Sequence, residues 1–475
     1  MDKKIFEEIE SSWKSVTQQP IEEFVRIPAL SIDFDKQWDK NGHLLDAVLH
    51  AKRWADSLGL EGISMEAIQE EGAPPCLFAD IPGTGAKKDG KTVFLYGHLD
   101  KQPENTGWDE NKSAWKPVVE DGRLYGRGAA DDGYSWFCTL SAIRALDKLG
   151  IDRPHCVALF ETAEESSSFH YEKYLERMKS HLGEVGLVVI LDSTALDYKR
   201  LWITQSLRGT VNCMLKVQVL EHDMHSGEAG GIVPSSFMIV RSLLDRMEDA
   251  NTGKIRLDAL HCDIPKEVIK QTKALAKVCG KQVFEAFPWE GATKPEKRNP
   301  WKAILSRNWE PALAVVGAGG IPSIAEAGAI LRAQTTLKLC MRIPPLVDPD
   351  KAAKAMKRCL TEKPPFKATV SMEGLVTGPG WYASGTPQWL KKALNQSSKA
   401  FWGEEAGYLG IGASIPLVAH FSKVWPETAF MVAGVLGPNS NAHGPNEFLD
   451  LEYAKRLTAS VAKVISEMPV KKQKK

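Results

Sequence analysis

The strongest constraint on the fold is an alternation that runs from Lys91 to Arg200. An apolar, β-rich run over Thr92–Tyr96 is followed by a helix-like stretch at Tyr134–Leu149 and a second run at Cys156–Phe160. Another helix-like stretch at Tyr171–His181 and a third run at Val185–Leu191 follow. This order calls for βαβ units, because parallel strands need long crossovers and helices returning along the sheet cover its faces. Each apolar run leads into polar or acidic residues: His98 and Asp100, then Glu164 and Glu165, then Asp192. In an open α/β sheet ligands bind beyond the carboxyl ends of the strands, so these groups can meet at one edge although they are far apart in the chain.

The middle of the chain has a different texture. Gly209–Leu220 reads as a strand, Ser235–Met247 as a helix opened by Pro234 and Ser235, Thr335–Ile343 as a strand, Pro349–Leu360 as a helix and Phe366–Met372 as a strand. Two helices among strands suggest a compact α+β sandwich. Asp258–Gly320, rich in Pro, Lys and Trp, carries no clear period. Beyond Trp381 the chain returns to helix and apolar strand, as in Met431–Val435, and closes with a helix near Glu452–Met468. A length of 475 residues suits two or three domains, and 43% hydrophobic with 25% charged residues is an ordinary globular balance.

Several classes are disfavoured. Sixty Lys plus Arg offset sixty Asp plus Glu, which leaves no global field for nucleic acid or an anionic membrane. The opening MDKKIFEEIESSWK lacks the apolar core of a signal peptide, and the longest apolar runs are of strand length, too short to span a bilayer. Eight dispersed cysteines without a CxxC pair read as reduced thiols, which points to the cytoplasm, and the closing KKQKK reads as a solvated tail. HExxH, GxSxG and a cysteine-based zinc pattern are all absent. Gly317–Gly320 (GAGG) lacks the partners of a dinucleotide fingerprint and reads as a loop or strand junction.

What remains is a spaced set of histidine and carboxylates. Asp100 follows His98 by two residues, a spacing that lets a carboxylate orient a metal-binding imidazole. Asp131 follows the turn-rich GRGAA, and the adjacent Glu164 and Glu165 can divide metal binding from proton transfer. Taken singly these are a loop histidine, helix caps and a solvated face. Such groups at successive strand ends are hard to explain as coincidence.

In order along the chain stand YGHLDKQP, LYGRGAADD, ETAEES, VVILDS, DMHSGEAGG and SNAHGPNE. This ordered set resembles the dinuclear metallopeptidases of the aminoacylase, carnosinase and glutamate-carboxypeptidase family, nearest to the branch of cytosolic non-specific and carnosine dipeptidases. The resemblance implies an α/β catalytic domain, a mainly parallel sheet with helices on both faces, split as residues 1–206 and 385–475 around an inserted α+β sandwich lid and dimerisation domain at 207–384. It implies two divalent metal ions, zinc or manganese: His98 and Asp192 on one, Glu165 and His443 on the other, and Asp131 bridging both, with a cis peptide bond from Asp131 to Asp132. Glu164 is then the general base, Asp100 the orienter of His98, and His225 a residue that reaches the active site of the partner in a homodimer. Arg342 matches the arginine that grips a substrate carboxylate, and Ser414, in GASIP, a substrate-side contact. The expected activity is hydrolysis of dipeptides of broad specificity; an N-acyl amino acid amidohydrolase, a carboxypeptidase-like enzyme and a silent binding homologue remain as alternatives. Departures from the family pattern are Gly133 and Tyr134 where many relatives place Lys after the paired aspartates, the absence of His from Trp381–Trp389, and the absence of Pro from AILRAQTT. They fall on substrate contacts and speak against carnosine.

Overall fold

The computed structural model describes residues 1–168, 170–285 and 287–470, so the KKQKK tail lies outside the described residues. The chain divides into two compact units: Met1–Thr204 with Ser384–Tyr408 and the chain from Trp425 onward, and Gln205–Ala383 with Leu409–Val424.

The first unit is built on a six-stranded mixed sheet in the order Ser64–Ile68, Cys76–Ile81, Cys156–Glu161, Thr92–His98, Val185–Ile190, Ala429–Val432. The last four in this order run parallel, and the first two join them antiparallel. Thr92–His98 is buried at every residue, as a strand covered on both faces should be, and for that reason its sequence is a continuous run rather than an alternation. It extends two residues past the apolar stretch and delivers His98 at its carboxyl end. The helix Tyr134–Lys148 packs against this strand, with Trp136, Phe137 and Leu140 fully buried. The long helix Leu451–Glu467 packs on Tyr134–Lys148, capped at its start by the Asp450 carboxylate, which accepts from the Tyr453 amide.

The second unit holds an antiparallel four-stranded sheet in the order Ala312–Gly319, Gln334–Ile343, Gly209–Gln218, Thr369–Gly378. Buried and less buried residues alternate along Gly209–Gln218 and Gln334–Ile343, the pattern of a sheet covered on one face. Val211, Leu215, Leu339 and Met341 face the helices Ser236–Met247 and Pro349–Thr361, which supply Ile239, Leu243, Met356 and Leu360 to the same core. Ser235 caps the first helix, and Asp348, followed by Pro349, caps the second.

Residues 258–320, unplaced by sequence, contain the helices Lys266–Cys279, Gln282–Glu285 and Pro300–Trp309 and the edge strand Ala312–Gly319. That strand is exposed along most of its length and bulges between Val315 and Gly317, so it shows no buried-face alternation, and GAGG is where it ends. The strand expected from Phe366 starts at Thr369, because Phe366 and Lys367 take left-handed backbone angles (φ 57 and 53) that no strand accommodates. Leu409–Val424, expected within 385–475 of the catalytic domain, goes instead with the second unit. Its Gly412 carbonyl accepts from Arg208 Nε at 3.0 Å, and Arg208 Nη2 would lie only 3.0 Å from a Cβ at residue 412, a close approach that glycine permits. All eight cysteines are free, and no helix among the described residues is long and apolar enough to cross a membrane.

Candidate metal centre

Three neighbouring parallel strands of the first unit end side by side, and their carboxyl ends carry the predicted groups. Thr92–His98 supplies His98, Cys156–Glu161 leads into the short turn Glu164–Ser166, and Val185–Ile190 leads to Asp192. Asp131 arrives on the loop before the helix Tyr134–Lys148, through a cis peptide bond to Asp132, and His443 on the loop before the strand Phe448–Asp450.

The two oxygens of Asp131 face two different histidines. Oδ1 lies 3.3 Å from His98 Nε2, and Oδ2 lies 2.9 Å from His443 Nε2. Asp192 Oδ2 stands 4.0 Å from His98 Nε2, and Glu165 Oε1 stands 3.3 Å from His443 Nε2. His98 Nε2 and Glu165 Oε1 are buried and have no hydrogen-bond partner. Polar atoms are rarely left this way, since an unsatisfied buried group costs about 1–3 kcal/mol, and a cation beside each would satisfy it. Ligand atoms of His98, Asp131 and Glu165 lie within 4.8 Å of one another, as do those of His98, Glu164 and Asp192. Imidazole and carboxylate donors at this spacing fit divalent metal ions. The second triplet includes Glu164, so proximity does not by itself divide the two glutamates into ligand and base.

The electrostatics are those of carboxylates crowded out of water. Burial, followed by the charge of Asp131, pushes the Asp192 carboxyl up to about 7. Burial also lifts the Glu164 carboxyl well above its ordinary range, reinforced by Asp192, Glu165 and Asp100 and opposed by His98. Asp131 moves the other way, because its contacts with His443 and His98 outweigh its burial. The nearby carboxylates of Asp131 and Glu165 hold the His443 imidazole up at about 10. Burial opposes protonation of His98, but Asp100 and Asp131 together outweigh it and raise that imidazole well above 6.5. A dication binding here therefore competes with protons on both histidines.

Asp100 does more than its spacing suggested. Its Oδ1 lies 3.3 Å from His98 Nδ1, which is also 3.1 Å from the Asp100 backbone carbonyl. The same carboxylate accepts the backbone amides of Glu164 at 3.2 Å and Glu165 at 3.1 Å, so one buried side chain holds the turn that presents both glutamates. Three further groups escaped the sequence reading. Gln102 Nε2 donates to Glu165 Oε2 at 2.7 Å, leaving Oε1 to face His443. Asp132 Oδ2 accepts from the His98 amide at 3.3 Å and from Ser135 Oγ at 2.7 Å. Arg127 and Glu447 form a buried ion pair of 2.6 Å beneath the loops of Asp131 and His443. Gln102, Asp132 and Glu447 stand inside the motifs DKQP, GAADD and GPNE, but nothing in residue type or spacing assigned them a partner.

His225, Arg342 and Ser414 belong to the second unit. His225 is exposed at the end of a two-residue strand paired with Ile330 and Leu331, and its Nδ1 accepts the Gly227 amide at 3.2 Å. Arg342 Nη1 donates to Ser414 Oγ at 2.9 Å, and Ser414 Oγ donates to the Arg208 carbonyl at 2.5 Å.

Residues 94–467 match the peptidase family M20/M25/M40. The Cys-Gly metallodipeptidase DUG1 of Saccharomyces cerevisiae is 25% identical over 445 residues, covering 90% of each chain. The Beta-Ala-His dipeptidase of Homo sapiens is 27% identical over 392 residues, covering 79% of this chain and 73% of that one. The solved structure of the di-peptidase Dug1p from Saccharomyces cerevisiae shares the fold, with a TM-score of 0.75 at 22% identity over 99% of both chains. The matched span contains every strand end and loop that contributes to the cluster, and the chain belongs to peptidase family M20/M25/M40.

Proposed function

We propose that this peptidase is a metal-dependent dipeptidase of broad specificity, working with two divalent ions, zinc or manganese. His98, Asp131 and Asp192 would hold one ion, and Asp131, Glu165 and His443 the other. The observation that carries this reading is the Asp131 carboxylate, with one oxygen toward each histidine and a second carboxylate beside each of them. Dipeptidase relatives that match over most of the chain support the substrate class.

When bound, the ions supply Lewis-acid chemistry: they polarise the scissile carbonyl and acidify water. Glu164 takes the proton of the attacking water and returns it to the leaving amine, a role that suits a carboxylate whose proton affinity is raised by burial. Asp100 fixes both His98 and the turn that carries Glu164. In a homodimer His225 reaches the partner's site. Because its Nδ1 accepts the Gly227 amide, the proton of the neutral ring sits on Nε2, where it can donate to the developing oxyanion. Arg342 offers a planar fork to the substrate's C-terminal carboxylate, steadied by Ser414. A reducing cytoplasm suits the eight free thiols.

The test is a panel of dipeptides, N-acetyl amino acids and C-terminally amidated dipeptides, assayed on metal-stripped protein and after reconstitution with zinc or manganese. Turnover of free dipeptides restored by one of the metals is the expected result. Turnover confined to N-acetyl amino acids would replace the dipeptidase reading with that of an acyl-amide hydrolase.

A further inference from the structure

We infer that Arg127 and Glu447 are positioning residues: a buried clamp that holds the Asp131 loop and the His443 loop in register for the ion those two ligands share with Glu165. The inference rests on the dinuclear reading above.

Both partners are almost entirely out of water, Arg127 1% and Glu447 0% exposed. Glu447 Oε2 pairs with Arg127 Nη1, and its Oε1 accepts three backbone amides of one loop: Gly128 at 3.1 Å, Ala130 at 3.1 Å and Asp131 at 3.2 Å. Its side chain thus fixes the backbone from which Asp131 projects. Arg127 reaches the other loop, where Nη2 donates to the Gly444 carbonyl at 2.9 Å, one residue past His443, while Nε donates to the Pro103 carbonyl at 3.1 Å. His443 itself has a left-handed backbone (φ 64), a conformation uncommon outside glycine and asparagine that must be held by its surroundings. Asn105 Nδ2 grips its carbonyl at 2.6 Å, and Arg127 grips the next.

A buried ion pair is a weak device for stability, because desolvation offsets much of its attraction. Its contacts here are instead distributed over the two loops that must meet at Asp131 and His443. The two sides of the centre depend on it unequally. His98 is a strand residue, fastened by Asp132 through its amide and by Asp100 through its ring, whereas His443 rides on a loop that Arg127 and Asn105 hold. Loosening the clamp should therefore release the ion on the His443 side first.

The experiment compares wild type, Arg127→Lys and Asn105→Gly by chelator competition and by the visible spectrum of the cobalt-substituted protein, with circular dichroism to establish folding. Arg127→Lys keeps a positive charge beside Glu447 but cannot fork to Gly444 and Pro103. Asn105→Gly removes the other hold on the His443 loop, at an exposed position whose φ of 56 glycine readily adopts, and reads whether loosening that loop releases the ion on the His443 side. If Arg127→Lys does not fold, Glu447→Gln, which keeps an oxygen for the loop amides but loses the charge facing Arg127, takes its place. The expected result is one ion bound as in wild type and the other about 10–100-fold more weakly in Arg127→Lys, with a smaller selective loss in Asn105→Gly. Two ions bound as in wild type, or both weakened equally, would overturn the clamp. Wild type binding fewer than two ions would instead overturn the dinuclear reading, and the clamp with it.

Discussion

Asp100→Asn separates two roles that one carboxylate performs. Asp100 is fully buried, and its two oxygens accept the amides of Glu164 and Glu165 at 3.2 and 3.1 Å. Asparagine keeps one oxygen, so one amide N–H comes to face an NH2 group, a buried donor set against a donor, at a cost of about 1–3 kcal/mol. His98 is less affected, because its Nδ1 also lies 3.1 Å from the Asp100 backbone carbonyl, which no substitution removes. The damage should therefore fall on the turn carrying Glu164. At about 1.36 kcal/mol per tenfold in rate, a full expression of that cost in the placement of Glu164 lowers kcat by roughly 5- to 150-fold. The assay is kcat at saturating metal beside metal affinity by chelator competition. The expected variant holds its metal and turns over slowly. A variant that binds metal weakly but, once saturated, turns over like wild type would refute this reasoning and return Asp100 to the single role of orienting His98.

The remaining predictions concern the other assigned groups. Glu164→Gln should keep both ions and lose about 10²–10⁴-fold in kcat, as expected for removal of a general base; an ion missing from that variant would make Glu164 a ligand, as its place beside His98 and Asp192 allows. His225→Ala should lower turnover without changing metal content, and mixing it with Glu164→Gln should restore activity, since one site of each mixed dimer is then intact. Verified mixed dimers that stay inactive would exclude the exchange of His225 between subunits. Arg342→Ala should raise KM for dipeptides by about 10–150-fold, the worth of a charged hydrogen bond of about 1.5–3 kcal/mol, while amidated dipeptides change little; an equal effect on both would remove Arg342 from carboxylate recognition.

Legibility tracked how local the physics was. The runs at Thr92–Tyr96, Cys156–Phe160 and Val185–Leu191 appear as strands because strands covered on both faces must be continuously apolar, and the chemistry stands where each run ends. The second unit's strands Gly209–Gln218 and Gln334–Ile343 were legible through their alternation. Ala312–Gly319 was not, since an exposed edge strand has no buried face to impose a period. The placement of Leu409–Val424 depends on Arg208 and Arg342, which bond to residues 204 and 72 positions away in the chain. Asp100 was assigned to a neighbour two residues off and not to the amides of Glu164 and Glu165, because a backbone amide leaves no trace in residue type.

The sequence by itself determined the alternating strands and helices and which residue types stand at the strand ends, because burial and period are properties of short segments. It also carried, through its ordered motifs, the resemblance that the family match bears out. Tertiary structure alone decided that Asp131 turns one oxygen toward each of two histidines, that Glu165 turns one oxygen to Gln102 and the other to His443, and that a buried arginine and glutamate join two loops more than 300 residues apart. Those facts depend on directions and distances between segments that meet only when the sheet has formed. Even the zero net charge takes its meaning there: the carboxylates it hides are gathered at one sheet edge, where cations can neutralise them.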